Sequence, residues 1–235
     1  MTTPSLPEYA PLPPKASRWE DCLDIFYNPR EVYERRRDGK FWIALVVYAV
    51  LVGVLAYLGR QAFDAISDVA FREAMAGQQM TEEQAAQAKA FGEKFRAIGP
   101  FIGAAASVLL GLIVGTVFWV LARLLGASLT VAQGITIWVF AAYPTLVNTA
   151  SVVVQSFLID PATVTTKHAY ALSAARFLPA GTNGLVLKLA SLADPFVIWS
   201  GILVGIGAYT IGKMEKERAA VLAVLATTLY VLAFS

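Results

Sequence analysis

His168 is the only histidine and Cys22 the only cysteine in 235 residues, which leaves little for a nucleophile–base pair or a metal cluster. A zinc site takes three or four cysteine, histidine or carboxylate ligands, and His168 has no cysteine near it in the sequence. The chain contains no phosphate-cradling G-x-x-x-x-G-K-[ST], no G-x-S-x-G elbow and no H-E-x-x-H. Asp160, just before Pro161, reads as a helix cap rather than an acid catalyst. No catalytic residue, cofactor or metal is expected.

The polar side chains worth weighing stand inside apolar runs. Tyr143, Pro144, Asn148, Thr149, Ser151 and Gln155 interrupt one such run, and Asp194 with Trp199 opens a later one. A proline inside a helix removes a backbone hydrogen bond and bends it, and Thr145 or Asn148 can satisfy the freed carbonyls. Two roles fit these residues. With Asn183 they can line a path for a lipid or small solute, or they can bond helix to helix at about 0.6 kcal/mol each. No run carries an ionisable residue at its centre, where coupled transporters place one. Arg123 and Asp194 stand only at run ends.

Small residues form the sharpest pattern. Gly99, Gly103, Ser107, Gly111 and Gly115 recur every four residues, and Gly201 and Gly205 repeat the spacing more briefly. In lipid there is little hydrophobic drive between helices, so close backbone approach takes over. The groove serves packing inside one bundle or a seam between two copies through the second span.

The elements that must hold these residues follow from composition. The chain is 57% hydrophobic and 15% charged, with mean hydropathy +0.59, against about a quarter charged in soluble domains. Net charge is +2, and no domain is dominated by basic residues, so nucleic acid is not an expected partner. The excess apolar content collects in runs long enough to cross a hydrocarbon core of about 30 Å. Five spans are expected, at 41–58, 98–125, 134–159, 196–211 and 219–234, forming an all-α polytopic bundle over 41–235. Thr81 to Gln84 and Thr130 to Gln133 have the form of capping boxes that restart helices, and the apolar stretch 185–192 is too short to span.

Ahead of the first span, residues 1–17 hold five of the eleven prolines and read as a disordered tail. Residues 18–40 form a cytosolic amphipathic and basic segment. Trp19, Cys22, Leu23 and Phe26 fall on one helical face, and Asn28, Pro29 and Glu31 compose a helix start. Arg35, Arg36 and Arg37 close it. Such a segment suits contact with an anionic membrane surface or a protein partner; the plainer alternative is a solvated linker. Basic residues near span ends (Arg35 to Lys40, Arg123, Lys213 to Arg218) fall on one side if five spans alternate. The expectation is a multi-pass inner-membrane protein with the N-terminus cytoplasmic, the C-terminus outside and no cleavable signal peptide.

In order along the chain, Asp24-Ile25-Phe26-Tyr27-Asn28-Pro29-Arg30 with Tyr33-Glu34-Arg35, Met80-Thr81-Glu82-Glu83-Gln84, Arg123-Leu124-Leu125-Gly126 before Ala141-Ala142-Tyr143-Pro144, and Asp194-Pro195-Phe196-Val197-Ile198-Trp199 resemble the bacterial branch of the Ypt-interacting-protein (Yip) domain family. The resemblance covers residues 22–235. It implies a five-helix membrane bundle with a cytosolic N-terminus. Eukaryotic members are linked to small Rab-type GTPases and membrane traffic, but Asp24 to Pro29 matches their N-terminal Asp-Leu-Tyr-Gly-Pro segment only loosely. The expected role is therefore non-enzymatic: membrane organisation or recruitment of a protein partner, with a lipid or small-solute conduit as the alternative.

Overall fold

The structure, a computed structural model, describes residue 17, residues 19–76 and residues 82–234. Among them there are helices and turns but no strand. Two short helices, α1 (Asp21–Tyr27) and α2 (Pro29–Arg35), precede α3 (Trp42–Leu58) and α4 (Arg60–Ala76). Then come α5 (Glu82–Leu124), α6 (Val131–Ala141), α7 (Pro144–Ser156), α8 (Gly184–Ser191), α9 (Pro195–Thr210) and α10 (Lys216–Phe234). Thr81, and with it the first expected capping box, lies outside the described residues, as does the expected disordered tail up to residue 16.

Chain chemistry explains where the helices stop and turn. α3 contains no charge, whereas α4 starts Arg60-Gln61 and carries Asp64 and Asp68. The two meet at Gly59 with a bend of 80°. Beyond that elbow Ala62 and Val69 bury themselves against Val164 and Tyr170 of the loop after α7, forming a small second core. α5 ends in a Schellman motif: Gly126 takes φ +90°, Ala127 N–H donates to the Ala122 carbonyl at 2.9 Å and Gly126 N–H to that of Arg123 at 3.0 Å. The capping box at Thr130 has both halves, with Thr130 Oγ1 accepting from Gln133 N–H and Gln133 Oε1 accepting from Thr130 N–H.

α6 is the central helix of the bundle. It packs on α5 and α9, while α3 lies on α5 and α7, and α9 on α10. Glycine lets α5 and α6 approach: a Cβ at Gly134 would sit 2.5 Å from Trp119 Cβ, and one at Gly115 would sit 2.8 Å from Ile135 Cα. The expected interruption at Pro144 separates α6 from α7, with Pro144 in the first turn of α7.

Two helical stretches, Ile98–Leu124 and Val131–Ser156, are long and apolar enough to cross a membrane. The number rises to four if α3 with α4, and α8 with α9, each count as one bent span. The protein is thus membrane-embedded by the length and composition of its helices. Between α7 and α9 the chain is ordered into turns and α8, which holds most of the apolar stretch 185–192, and Lys188 of α8 donates to the Leu232 carbonyl near the end of α10 at 2.6 Å.

Candidate functional site

α1 and α2 form a cap bolted to one end of the bundle. Seven-residue helices are too short to persist alone, so tertiary contacts must hold them. Ile25, Val32 and Tyr33 are fully buried. The Tyr33 hydroxyl donates to the Ile137 carbonyl at 3.3 Å, and burial pushes its pKa up. Asp21, itself fully buried, accepts from Arg35 at 2.7 Å and also pairs with Arg36. Arg35 further meets Asp24 at 2.6 Å and Glu31 at 2.9 Å. Gln133 ties the cap to α6 by donating to the Arg37 carbonyl at 2.7 Å.

This arrangement redistributes the residues expected to face a membrane or partner. Arg35 and Arg36 keep only 19% and 12% of their side-chain surface, so two of the three expected surface arginines are bound inward, and Arg37 is exposed. Asn28 does not cap the backbone of α2; its amide donates to the Glu31 carboxylate instead. Phe26 packs against the core and Pro29 is half-buried. The face left outward on α1 and the turn before it is Trp19, Leu23 and Tyr27, exposed by 65%, 67% and 87%. They are spaced four apart, on the side opposite Asp21 and Ile25.

Cys22 joins the cap to the bend between α6 and α7. The Tyr143 hydroxyl lies 2.7 Å from the Ala44 carbonyl and 3.1 Å from Cys22 Sγ. A phenol has one proton, so it donates to the carbonyl and receives the thiol. Burial pushes the Cys22 thiol pKa up; an ionised sulfur there would accept from Tyr143, which opposes that rise. Around the bend, Thr145 shares a hydrogen bond with Tyr48 at 2.9 Å and also donates to the Ala142 carbonyl at 2.7 Å. Asn148 donates to Asp194 at 3.1 Å. Asp194, buried, caps α9 by accepting from Phe196 and Val197 N–H at 2.8 and 3.2 Å. Pro144 is buried, and Trp199 packs against the main core without a hydrogen bond to this group.

Among the small residues, Gly111 and Gly115 approach Leu45 and Ile135, and Ser107 donates to its own helix at Ala104. Gly201 and Gly205 face Thr227 and Ala223. Gly103 meets nothing within 4 Å.

At the far end, Gln155 of α7 donates to the Tyr170 carbonyl at 3.0 Å and accepts from Arg176 at 2.7 Å. His168 lies in this outer layer with Nε2 buried and unbonded. Burial and Lys167 lower its pKa, opposed by Glu73. Among the described residues no group of histidine, cysteine and carboxylates could hold a metal.

Sequence reasoning passed over Asp21, Tyr33, Tyr48 and Arg176. Tyr48 did carry a signal, since a hydroxyl within an uncharged span needs a partner. Asp21 carried none, because its arginines lie more than a dozen residues away.

Searches of curated proteins and of solved structures found no match. A family model, that of the Yip1 domain, matches residues 23–235, from within α1 through α10. The chain belongs to the Yip1 domain family.

Proposed function

We propose that the chain is a non-enzymatic adaptor of the inner membrane. Its five spans (α3, α5, α6 with α7, α9 and α10) anchor the α1–α2 cap on the cytoplasmic side, with the C-terminus outside. Support for alternation comes from the cap, the α5–α6 turn and the α9–α10 turn sharing one end: Gln133 reaches Arg37, and Ser128 N–H donates to Gly212 at 3.1 Å. The observation that carries the adaptor reading is the two-sided character of α1. One face is locked by Asp21 and Ile25, while the other holds Trp19, Leu23 and Tyr27 out on a rigid mount. Large aromatic and aliphatic anchors held in place bind with little further entropy loss.

The conduit alternative finds less support. Tyr143, Thr145, Asn148 and Asp194 are all spent on hydrogen bonds within the chain. The space near the bend, lined by Tyr48, Ser107, Trp138 and Tyr230, holds about 80 Å³, room for a few waters and not for a lipid.

A photo-crosslinking amino acid placed at Tyr27 or Leu23 in living cells tests the adaptor reading. Discrete protein adducts that vanish when Trp19 becomes serine support it. Adducts with lipid alone would place this face in the membrane interface and end the adaptor reading.

A further inference from the structure

Between α9 and α10 the outer side of the bundle is hollowed into an open groove of about 610 Å³. Its floor is made of small residues. Positions for a Cβ on Gly201 and Gly205 would lie 3.0 Å from Thr227 Oγ1 and 3.4 Å from Ala223 Cβ. Ile198 and Val224, both exposed, form walls. From Val197 to Tyr209 the groove follows α9 for about 18 Å at 1.5 Å per residue. One leaflet contributes half of a hydrocarbon core of about 30 Å, so this is the length of a single acyl chain.

Charge enters the lining at one end only, through Lys216. Its ammonium sits 6.0 Å above the Tyr209 ring and pairs with no carboxylate among the described residues. Its neighbour Glu215 meets Arg218 instead, at 3.5 Å. An apolar trench closed by a free ammonium is complementary to a molecule with a hydrocarbon tail and an anionic head. A second copy of the chain would fill the trench but leave Lys216 without a counter-charge; a lipid phosphate supplies one.

We propose that this groove binds one acyl chain of an anionic phospholipid, whose headgroup phosphate accepts a hydrogen bond from the Lys216 ammonium. The site is independent of the adaptor face, which lies on α1. To test it, the full chain is placed in phosphatidylcholine nanodiscs holding a trace of acyl-chain diazirine lipid, either phosphatidylglycerol or phosphatidylcholine, and adducts are mapped after irradiation. Adducts of the anionic probe are expected to concentrate on α9 and α10 at about five times the yield of the zwitterionic one, the ratio for one basic residue at a charged surface. Lys216→Gln should bring the two probes to parity while labelling of the groove persists. Ala220→Phe, at an exposed groove position, should remove labelling by both without lowering the thermal midpoint. Even labelling of α3, α5 and α9 overturns the proposal, as does an anionic preference that survives Lys216→Gln. Disulfide-linked dimers from Ile202→Cys in a Cys22→Ser chain, formed in place of lipid adducts, would put a second copy in the groove and overturn it equally.

Discussion

Replacing Asp21 by asparagine should release α1 from the bundle, and Cys22 reports the release. The substitution keeps shape and removes charge. Arg35 retains Asp24 and Glu31, so the loss falls chiefly on Arg36, whose pairing is with Asp21. Breaking a buried pair costs 3–5 kcal/mol, and discounting for solvent screening at this edge leaves about 2 kcal/mol. That makes opening of α1 about thirtyfold more frequent. Cys22 is 8% exposed and the only cysteine, so maleimide alkylation followed by gel shift reads the opening at one site. Labelling should rise about thirtyfold in Asp21→Asn and fall back in Asp21→Asn with Arg36→Gln, because removing both partners is near neutral. Leu23→Cys in a Cys22→Ser chain, already exposed, should label fast with or without Asp21. A Cys22 rate within threefold of the unaltered protein would refute the argument that this ion pair holds the cap.

Gly134→Ala drives a Cβ to within 2.5 Å of Trp119 and should cost about 1–3 kcal/mol, while Gly99→Ala, with open space around it, should leave the thermal midpoint in detergent unchanged. Asp194→Ala removes the cap of α9 and should cost about 1 kcal/mol; Asn148→Leu should cost about 0.6 kcal/mol, less again when Asp194 is already gone, as a double-mutant thermal series would show. His168 predicts acid sensitivity of the outer layer. Its folded pKa lies below the unfolded value of about 6.5, so the unfolded form takes up the proton first. Stability is then full above pH of about 6.5 and declines as pH falls through that value toward the depressed one. The opening free energy of residues 160–178, read from hydrogen exchange corrected for the slower intrinsic exchange in acid, should fall between about pH 7 and pH 5, and His168→Gln should flatten that response.

Features set by neighbours in the chain were readable in the sequence. The box at Thr130 and Gln133 and the break before Pro144 each depend on residues within a few positions, and each formed. Features set by distant partners were not. The apolar periodicity placed Trp19, Cys22, Leu23 and Phe26 on one face, yet the buried face of α1 is Asp21, Cys22 and Ile25. An aspartate turns inward there because two arginines from the far end of α2 meet it, a pairing invisible to a helical-wheel count. The same pairing withdraws Arg35 and Arg36 from the expected membrane contact. The small-residue repeat on α5 was regular in the sequence but is used unevenly: Gly115 meets α6 while Gly103 meets nothing, because α3 approaches that turn at Pro100 and Ala104 through its own Gly53. Nor did the spacing announce the elbow at Gly59, which depends on the outer layer that receives α4.

That elbow ends α3 after 17 residues, a rise of about 25 Å. Against it lies the apolar part of α5, 27 residues from Ile98 to Leu124, a rise of about 40 Å. A hydrocarbon core of about 30 Å matches neither. If α3 crosses the bilayer by itself, as proposed above, the longer helix must lean and the lipid beside the shorter one must thin, at a fraction of a kcal/mol for each ångström of mismatch. On that proposal the rim of the protein would meet the bilayer at two heights, and many copies gathered together would crease the membrane around them.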